Sequence, residues 1–345
     1  MRDNGSLFED IRALCEIPGV SGREEKVREY IESRIPEGAF TKTDAIGNLY
    51  VFKPGKQKSQ KTIMVCAHMD EVGLIITYIT EDGYLKFDEL GGIDPAVLIG
   101  RTVVLESGIK GVIALKHIHL CSGSESSKIP TMKEMYIDIG AKNREEAEKY
   151  VSLGSFATFQ SDYVEFGEDS IKMKALDDRV GCAIMLSLIN SDIPFDVQFV
   201  FTVQEEVGAR GASAAAFNVR PQISVILETT TAGDICGVEG EKRACVLGDG
   251  PVVSYMDRGT VYDMDLYRAA MVIGKSAGIP VQTKTLVAGG NDSKAVQREA
   301  GGSRVIAVSV PTRYLHSPSC VLTSADVENT LKLVTELLPV IEEMA

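Results

Sequence analysis

The sequence predicts a three-layer α/β domain interrupted by a small all-β module, on three observations. First, apolar β-branched runs at 197–203, 223–227 and 305–310 alternate with stretches whose apolar residues recur at helical spacing. Second, residues 62–67 (TIMVCA) are almost wholly apolar, the pattern of a central strand covered on both faces. Third, between Val72 and Phe166 the texture changes to short β-rich pieces, GLIITYIT, GYLKF, RTVVLE, GVIALKHI, EMYIDIG and FATF, separated by Gly and Asp turns. The expected organisation is therefore a discontinuous domain, 1–71 with 167–345, and an insert, 72–166.

The elements follow in order. Helices are expected at 6–16 and 23–34, with Ser21 as a candidate N-cap and Glu24 and Glu25 in the first turn of the second. Strands at 48–53 and 62–67 precede the insert, which carries one weak helix at 144–150 and a mobile serine-rich loop at 122–128. Beyond it, Val180, Ala183, Ile184 and Leu188 mark a helix over 179–190. The strand 197–203, helix 209–217, strand 223–227, helices 262–274 and 293–300, strand 305–310 and helix 324–343 complete the chain.

Composition narrows the function. The chain has 345 residues and 44% apolar content, enough for one large or two smaller cores. Its 36 basic residues against 49 acidic ones leave a formal charge of −13, which argues against nucleic acid and anionic membranes as partners and tolerates cationic ligands. No apolar run reaches membrane-spanning length, and the start MRDNGSLFED has no signal-peptide core. Seven cysteines without a CxxC pair, with Cys66 and Cys182 inside apolar runs, read as reduced thiols of a cytoplasmic protein.

The strongest chemical signal is a pair of adjacent acids, Glu205 and Glu206, at the end of the apolar run in VQFVFTVQEEVGARGA. Two like charges at a buried strand end cost several kcal/mol unless a cation neutralises them. A divalent metal would do so; a solvated strand-to-helix corner is the plainer alternative. His68 ends the strand 62–67 with Asp70 two residues on, a spacing suited to a metal ligand oriented by a carboxylate. His316 follows the strand 305–310, and Glu228 follows the strand 223–227. Sites in open α/β sheets form beyond the carboxyl ends of strands, where His68, Glu205, Glu206, Glu228 and His316 are all expected. Asp177 and Asp178 precede a helix, so one could serve only as an N-cap. His117 and His119 alternate within an expected strand of the insert, and read as a surface pair rather than ligands. HExxH, GxSxG, P-loop and dinucleotide-binding glycine patterns do not occur.

The ordered segments HMDEVG, KALDDRVG, QEEVGARGA, LET, GGND and YLHSP resemble the TET-type aminopeptidases, the glutamyl and deblocking aminopeptidase family of bacteria and archaea. The likeness extends over the whole chain and includes GGIDPAVLIGR and MYIDIGA in the insert. It implies a phosphorylase/hydrolase-like α/β domain with a mixed central sheet, and a β-barrel insert that mediates dimerisation. It also implies a homo-oligomer, from dimer to hollow dodecamer, acting on peptide substrates with two divalent ions, zinc or cobalt. Carried over by motif, one ion is held by His68, Asp177 and Glu228 and the other by Asp177, Glu206 and His316. Asp177 then bridges, as the first aspartate of the DDR motif, often followed by a cis peptide; Glu205 is the general base and Asp70 orients His68. One departure is Glu228, where the family usually has Asp. Gly289, Gly290 and Asp292 are expected to line the pocket.

A competing enzyme reading is an endoglucanase-like glycoside hydrolase using Glu205 and Glu206 as acid and base. It leaves two strand-end histidines without a role, and the chain has no tryptophan to stack on sugars. A metal-storing or scaffold protein is a third reading, and it gives Glu205 nothing to do.

Overall fold

A computed structural model of the protein describes residues 4–120 and 130–344; the serine-rich stretch 122–128 and Cys121 lie outside them. Among the described residues, an eight-stranded mixed sheet forms the centre. Its order is Phe40–Thr43, Leu49–Lys53, Val197–Thr202, Ile63–His68, Ile223–Thr231, Arg304–Thr312, Val252–Val253 and Gln282–Thr283. The middle four run parallel, while Leu49–Lys53 and Val252–Val253 pair antiparallel on the two flanks.

The apolar strand at the centre explains the layering. All six residues of Ile63–His68 are buried. Ile63, Val65 and Ala67 enter the core beneath the helices Asn4–Glu16, Leu176–Ile189 and Ser324–Glu343, while Met64 and Cys66 enter a second core beneath Arg210–Val219. Phe199 and Phe201 face the first layer and Val200 the second, the period-two alternation of a strand covered on both sides. Phe199 is among the largest fully buried side chains. Phe199→Ala is therefore expected to destabilise the fold by about 3–5 kcal/mol, read as a lower urea midpoint at unchanged slope.

The insert closes on itself. Gly73–Ile79, Leu85–Leu90, Tyr136–Asp138, Lys110–Ala114, Thr102–Leu105 and Phe156–Phe159 form a closed antiparallel barrel, an arrangement that leaves no free strand edge. It has its own core, with Leu74, Ile76, Leu85, Val103, Ile113 and Ile137 pointing inward. Val164–Phe166 pairs outside the barrel, joining Ser170–Met173 and Cys320–Thr323 in a separate three-stranded sheet. These strands are short and partly exposed, so their apolar pattern does not distinguish them from barrel strands.

Two local expectations differ from the structure. His117 and His119 do not alternate within a strand: Lys110–Ala114 ends earlier, and the two exposed rings stack 4.8 Å apart in the following turn. The helix expected at 293–300 is a short Ser293–Val296, followed by a kink with Ala300 at φ 50°. The helix expected from 179 agrees with the structure: Asp177 and Asp178, within the assigned span Leu176–Ile189, have non-helical backbone and are joined by a cis peptide bond, so regular helix starts at Arg179.

Candidate active site

The parallel strands end at one edge and deliver the acids there. Thr202 pairs with His68, so the chain leaves the sheet beside this histidine and carries Glu205 and Glu206 with it. Ile223–Thr231 and Arg304–Thr312 run further, so Glu228 lies within its strand opposite Ser309 rather than past its end. His316 comes from the loop after Arg304–Thr312, and Asp177 from the start of the helix Leu176–Ile189.

Backbone donors fix the direction of the paired glutamates. Asn48 Oδ1 accepts the Val203 N–H at 3.0 Å, and Asn48 Nδ2 donates to the Gly211 carbonyl at 3.0 Å. A Cβ on Gly211 would sit 2.3 Å from the Val203 oxygen, so only glycine allows this approach. Gln204, at φ 56°, donates its N–H to Glu24 Oε1 at 3.1 Å. Asp70 accepts the N–H groups of Glu205 and Glu206 at 2.9 and 3.1 Å, and the Ser21 hydroxyl at 2.6 Å. Four consecutive N–H groups are thus held by side-chain oxygens, which fixes the backbone from which both glutamate side chains project.

Asp177 stands between the two histidines. Its Oδ1 is 3.2 Å from His68 Nε2 and its Oδ2 is 3.5 Å from His316 Nε2. Glu228 Oε1 lies 3.6 Å from His68 Nε2, and Glu206 Oε2 lies 3.4 Å from His316 Nε2. Each imidazole is oriented through its other nitrogen: His68 Nδ1 contacts the Asp70 carbonyl at 3.0 Å and Asp70 Oδ1 at 3.4 Å, and His316 Nδ1 contacts the Gly92 carbonyl at 2.6 Å. Asp178 is fully buried, and its two oxygens accept the His68 and Gly181 N–H groups. Asp177 rather than Asp178 faces the open cleft.

Burial without enough cations shapes the electrostatics. Desolvation pushes Glu206 well above the usual carboxylate range, with Asp177 adding to the rise. Glu228 is lifted to about 8 mainly by burial. Burial also raises Asp177, but hydrogen bonds from His316 and His68 outweigh it and hold that carboxyl below its ordinary value. Glu205 is raised by desolvation, with His68 and Lys294 opposing; its Oε1 is buried without a hydrogen-bond partner, and Lys294 Nζ stands 3.5 Å away. The donors are imidazole nitrogens and carboxylate oxygens, and His68, Asp177 and Glu206, or His68, Asp178 and Glu228, offer ligand atoms within 4.8 Å of one another. That donor set fits borderline divalent ions such as zinc and cobalt.

The acids line a cleft of about 290 Å³ together with Gly289, Gly290, Asn291 and Leu315. Asp292 does not line it: it is buried behind the wall and accepts the Thr202 hydroxyl at 2.6 Å. Sequence reasoning missed Ser254, Asp257 and Lys284, which reach the cleft from around the two-residue strands, and Lys294 beside Glu205. Nor did it find the buried cluster of Lys174, Arg179 and Glu71 behind the site, in which Lys174 Nζ contacts both Glu71 oxygens at 2.7 and 2.8 Å. The Arg179 guanidinium donates to the Ile17 and Gly19 carbonyls, tying the N-terminal segment to the Asp177 turn. Among the described residues, a wider groove of about 590 Å³ at the outer sheet edge, lined by Phe40, Phe52 and Lys61, has Asp196 as its one carboxylate and no histidine.

Comparison with known proteins places this architecture. A putative aminopeptidase of Acetivibrio thermocellus is 38% identical over 335 residues, covering 96% of this chain and 98% of that one. The aminopeptidase APDkam598 of the archaeon Desulfurococcus kamchatkensis superposes with a TM-score of 0.91 at 32% identity, over 99% and 96% of the two chains. The TET1 peptidase of Pyrococcus horikoshii, which can assemble into a tetrahedron or a large octahedral shell, gives 0.84 at 35% identity, over 96% and 99%. The family model for M42 glutamyl aminopeptidase matches residues 47–333, and the chain belongs to that family of aminopeptidases.

Proposed function

We propose that the protein is a dinuclear metal-dependent aminopeptidase that removes N-terminal residues from peptides in the cytoplasm and works as a homo-oligomer. The observation that carries the reading is Asp177, whose two oxygens each face a different strand-end histidine. In this reading His68, Asp177 and Glu228 would hold one ion, and Asp177, Glu206 and His316 would hold the other. Bound divalent ions supply Lewis-acid polarisation of the scissile carbonyl and a lowered pKa for the attacking water.

The chain's own groups do the rest. Glu205 lines the cleft with a carboxylate oxygen that accepts no hydrogen bond, so it takes a proton from the attacking water and delivers it to the departing amine nitrogen. Asp70 holds His68 in one ring orientation and holds the Glu205 and Glu206 backbone at the same time. The acid-lined end of the cleft favours a substrate's α-ammonium group, which selects free N-termini. In place of aspartate, Glu228 reaches one methylene further to the same imidazole.

Among the described residues no Phe, Tyr or Trp lines the cleft, which gives a sugar ring no stacking platform and weakens the endoglucanase reading. A panel of aminoacyl p-nitroanilides tests the proposal. Activity is expected to vanish after chelation, return with zinc or cobalt, and be absent on soluble β-glucan. Undiminished peptidase activity in metal-stripped protein would overturn the metal mechanism.

A further inference from the structure

The two histidines are oriented by different parts of the molecule. His68 is held by Asp70, two residues along the same segment. His316 Nδ1 meets a carbonyl from the inserted barrel, that of Gly92, in the loop that follows the barrel strand Leu85–Leu90. A carbonyl oxygen can only accept, so Nδ1 carries a proton, and Nε2, which faces Asp177 and Glu206, is the nitrogen that would ligate an ion.

The loop is built to hold that carbonyl in place. Glu89 Oε2 accepts the Ile93 N–H at 2.8 Å, closing the turn across Gly91 and Gly92. Ile93 is buried in the barrel core at one end of the turn, and Leu90 pairs with Gly73 at the other. Gly91 sits at φ +86°, and a Cβ there would fall 2.8 Å from Val72 and 3.2 Å from Glu206. The loop therefore passes directly over Glu206 and His316, the pair assigned above to the second ion.

We propose that the inserted barrel is a positioning element of the catalytic centre: through the Gly92 carbonyl it sets the tautomer and orientation of His316, and with them the affinity of the second metal site. The proposal rests on the dinuclear reading. Glu89 is the residue to test, because it is exposed and closes the loop through its bond to the Ile93 N–H, and it is not one of the residues assigned to either ion.

Cobalt titration of the metal-stripped full-length protein gives the readout. Partners that orient a metal-binding histidine are typically worth 10- to 100-fold in affinity, so Glu89→Ala is expected to weaken one of two sites by about 10-fold and leave the other unchanged. Glu89→Gln keeps an acceptor oxygen and should restore both sites. In the His316→Ala background the Glu89→Ala change should have no further effect on cobalt binding, since both act on one imidazole. Wild-type affinities at both sites in Glu89→Ala, equal weakening of both, or an additive loss in the double variant would overturn the proposal. If the parent protein binds fewer than two ions, the dinuclear reading fails first and this inference falls with it.

Discussion

Glu205→Gln is expected to lower kcat on an aminoacyl p-nitroanilide by about 10²- to 10⁴-fold while metal content stays at the parent value. Glutamine keeps the side-chain volume, and its backbone N–H remains fixed by Asp70. It offers an amide where the mechanism needs an oxygen that can accept a proton. Glu205 Oε1 has no hydrogen-bond partner to lose, and the change gives up only its 3.5 Å ion pair with Lys294. Glu206→Gln differs in kind. Glu206 Oε2 faces His316 Nε2 at 3.4 Å, so its amide variant should lose metal first and activity as a consequence. Metal content and kcat measured side by side separate the two glutamates. Metal loss in Glu205→Gln with retention in Glu206→Gln would exchange their roles, and full activity in both would remove the hydrolytic mechanism.

That a single side-chain change can divide catalysis from binding depends on geometry only partly legible in the sequence. The strand 62–67 and the run before Glu205 announce themselves because burial on both faces demands continuous apolar residues. The same requirement places His68, Glu205 and Glu206 at one sheet edge, since parallel strands of similar register end together. Flanking strands carry no such signal. Phe40–Thr43 is exposed at all four positions, and Val252–Val253 and Gln282–Thr283 are two residues long, too short for any period to appear. Ser254 and Lys284 follow directly from those two strands, and Asp257 lies three residues beyond Ser254, so this wall of the cleft was invisible for the same reason. The Gly92 carbonyl is harder still. A backbone acceptor has no side-chain identity, and its role depends on a loop of the barrel meeting a loop of the α/β domain 224 positions away.

The two adjacent aspartates present a choice that the family resemblance resolves in favour of Asp177, and their amide variants should part company. Asp177→Asn replaces one of two oxygens that face His68 Nε2 and His316 Nε2, and an amide NH₂ cannot serve as a metal ligand. Loss of a partner that only orients a ligand costs about 10- to 100-fold in affinity, so loss of a ligand shared by both ions should cost more than 100-fold at one site or both. Peptidase activity should fall to background. Asp178→Asn meets a different demand. Asp178 is fully buried and accepts the His68 and Gly181 N–H groups, so an amide would turn an NH₂ toward one of those donors. An unsatisfied buried donor costs about 1–3 kcal/mol, which predicts a lower urea midpoint with metal affinity largely kept. Cobalt titration and urea unfolding of both variants decide the matter. Should Asp178→Asn release the ions while Asp177→Asn keeps them, the bridging carboxylate is the second aspartate, and the ligand sets proposed for both ions must be redrawn around it.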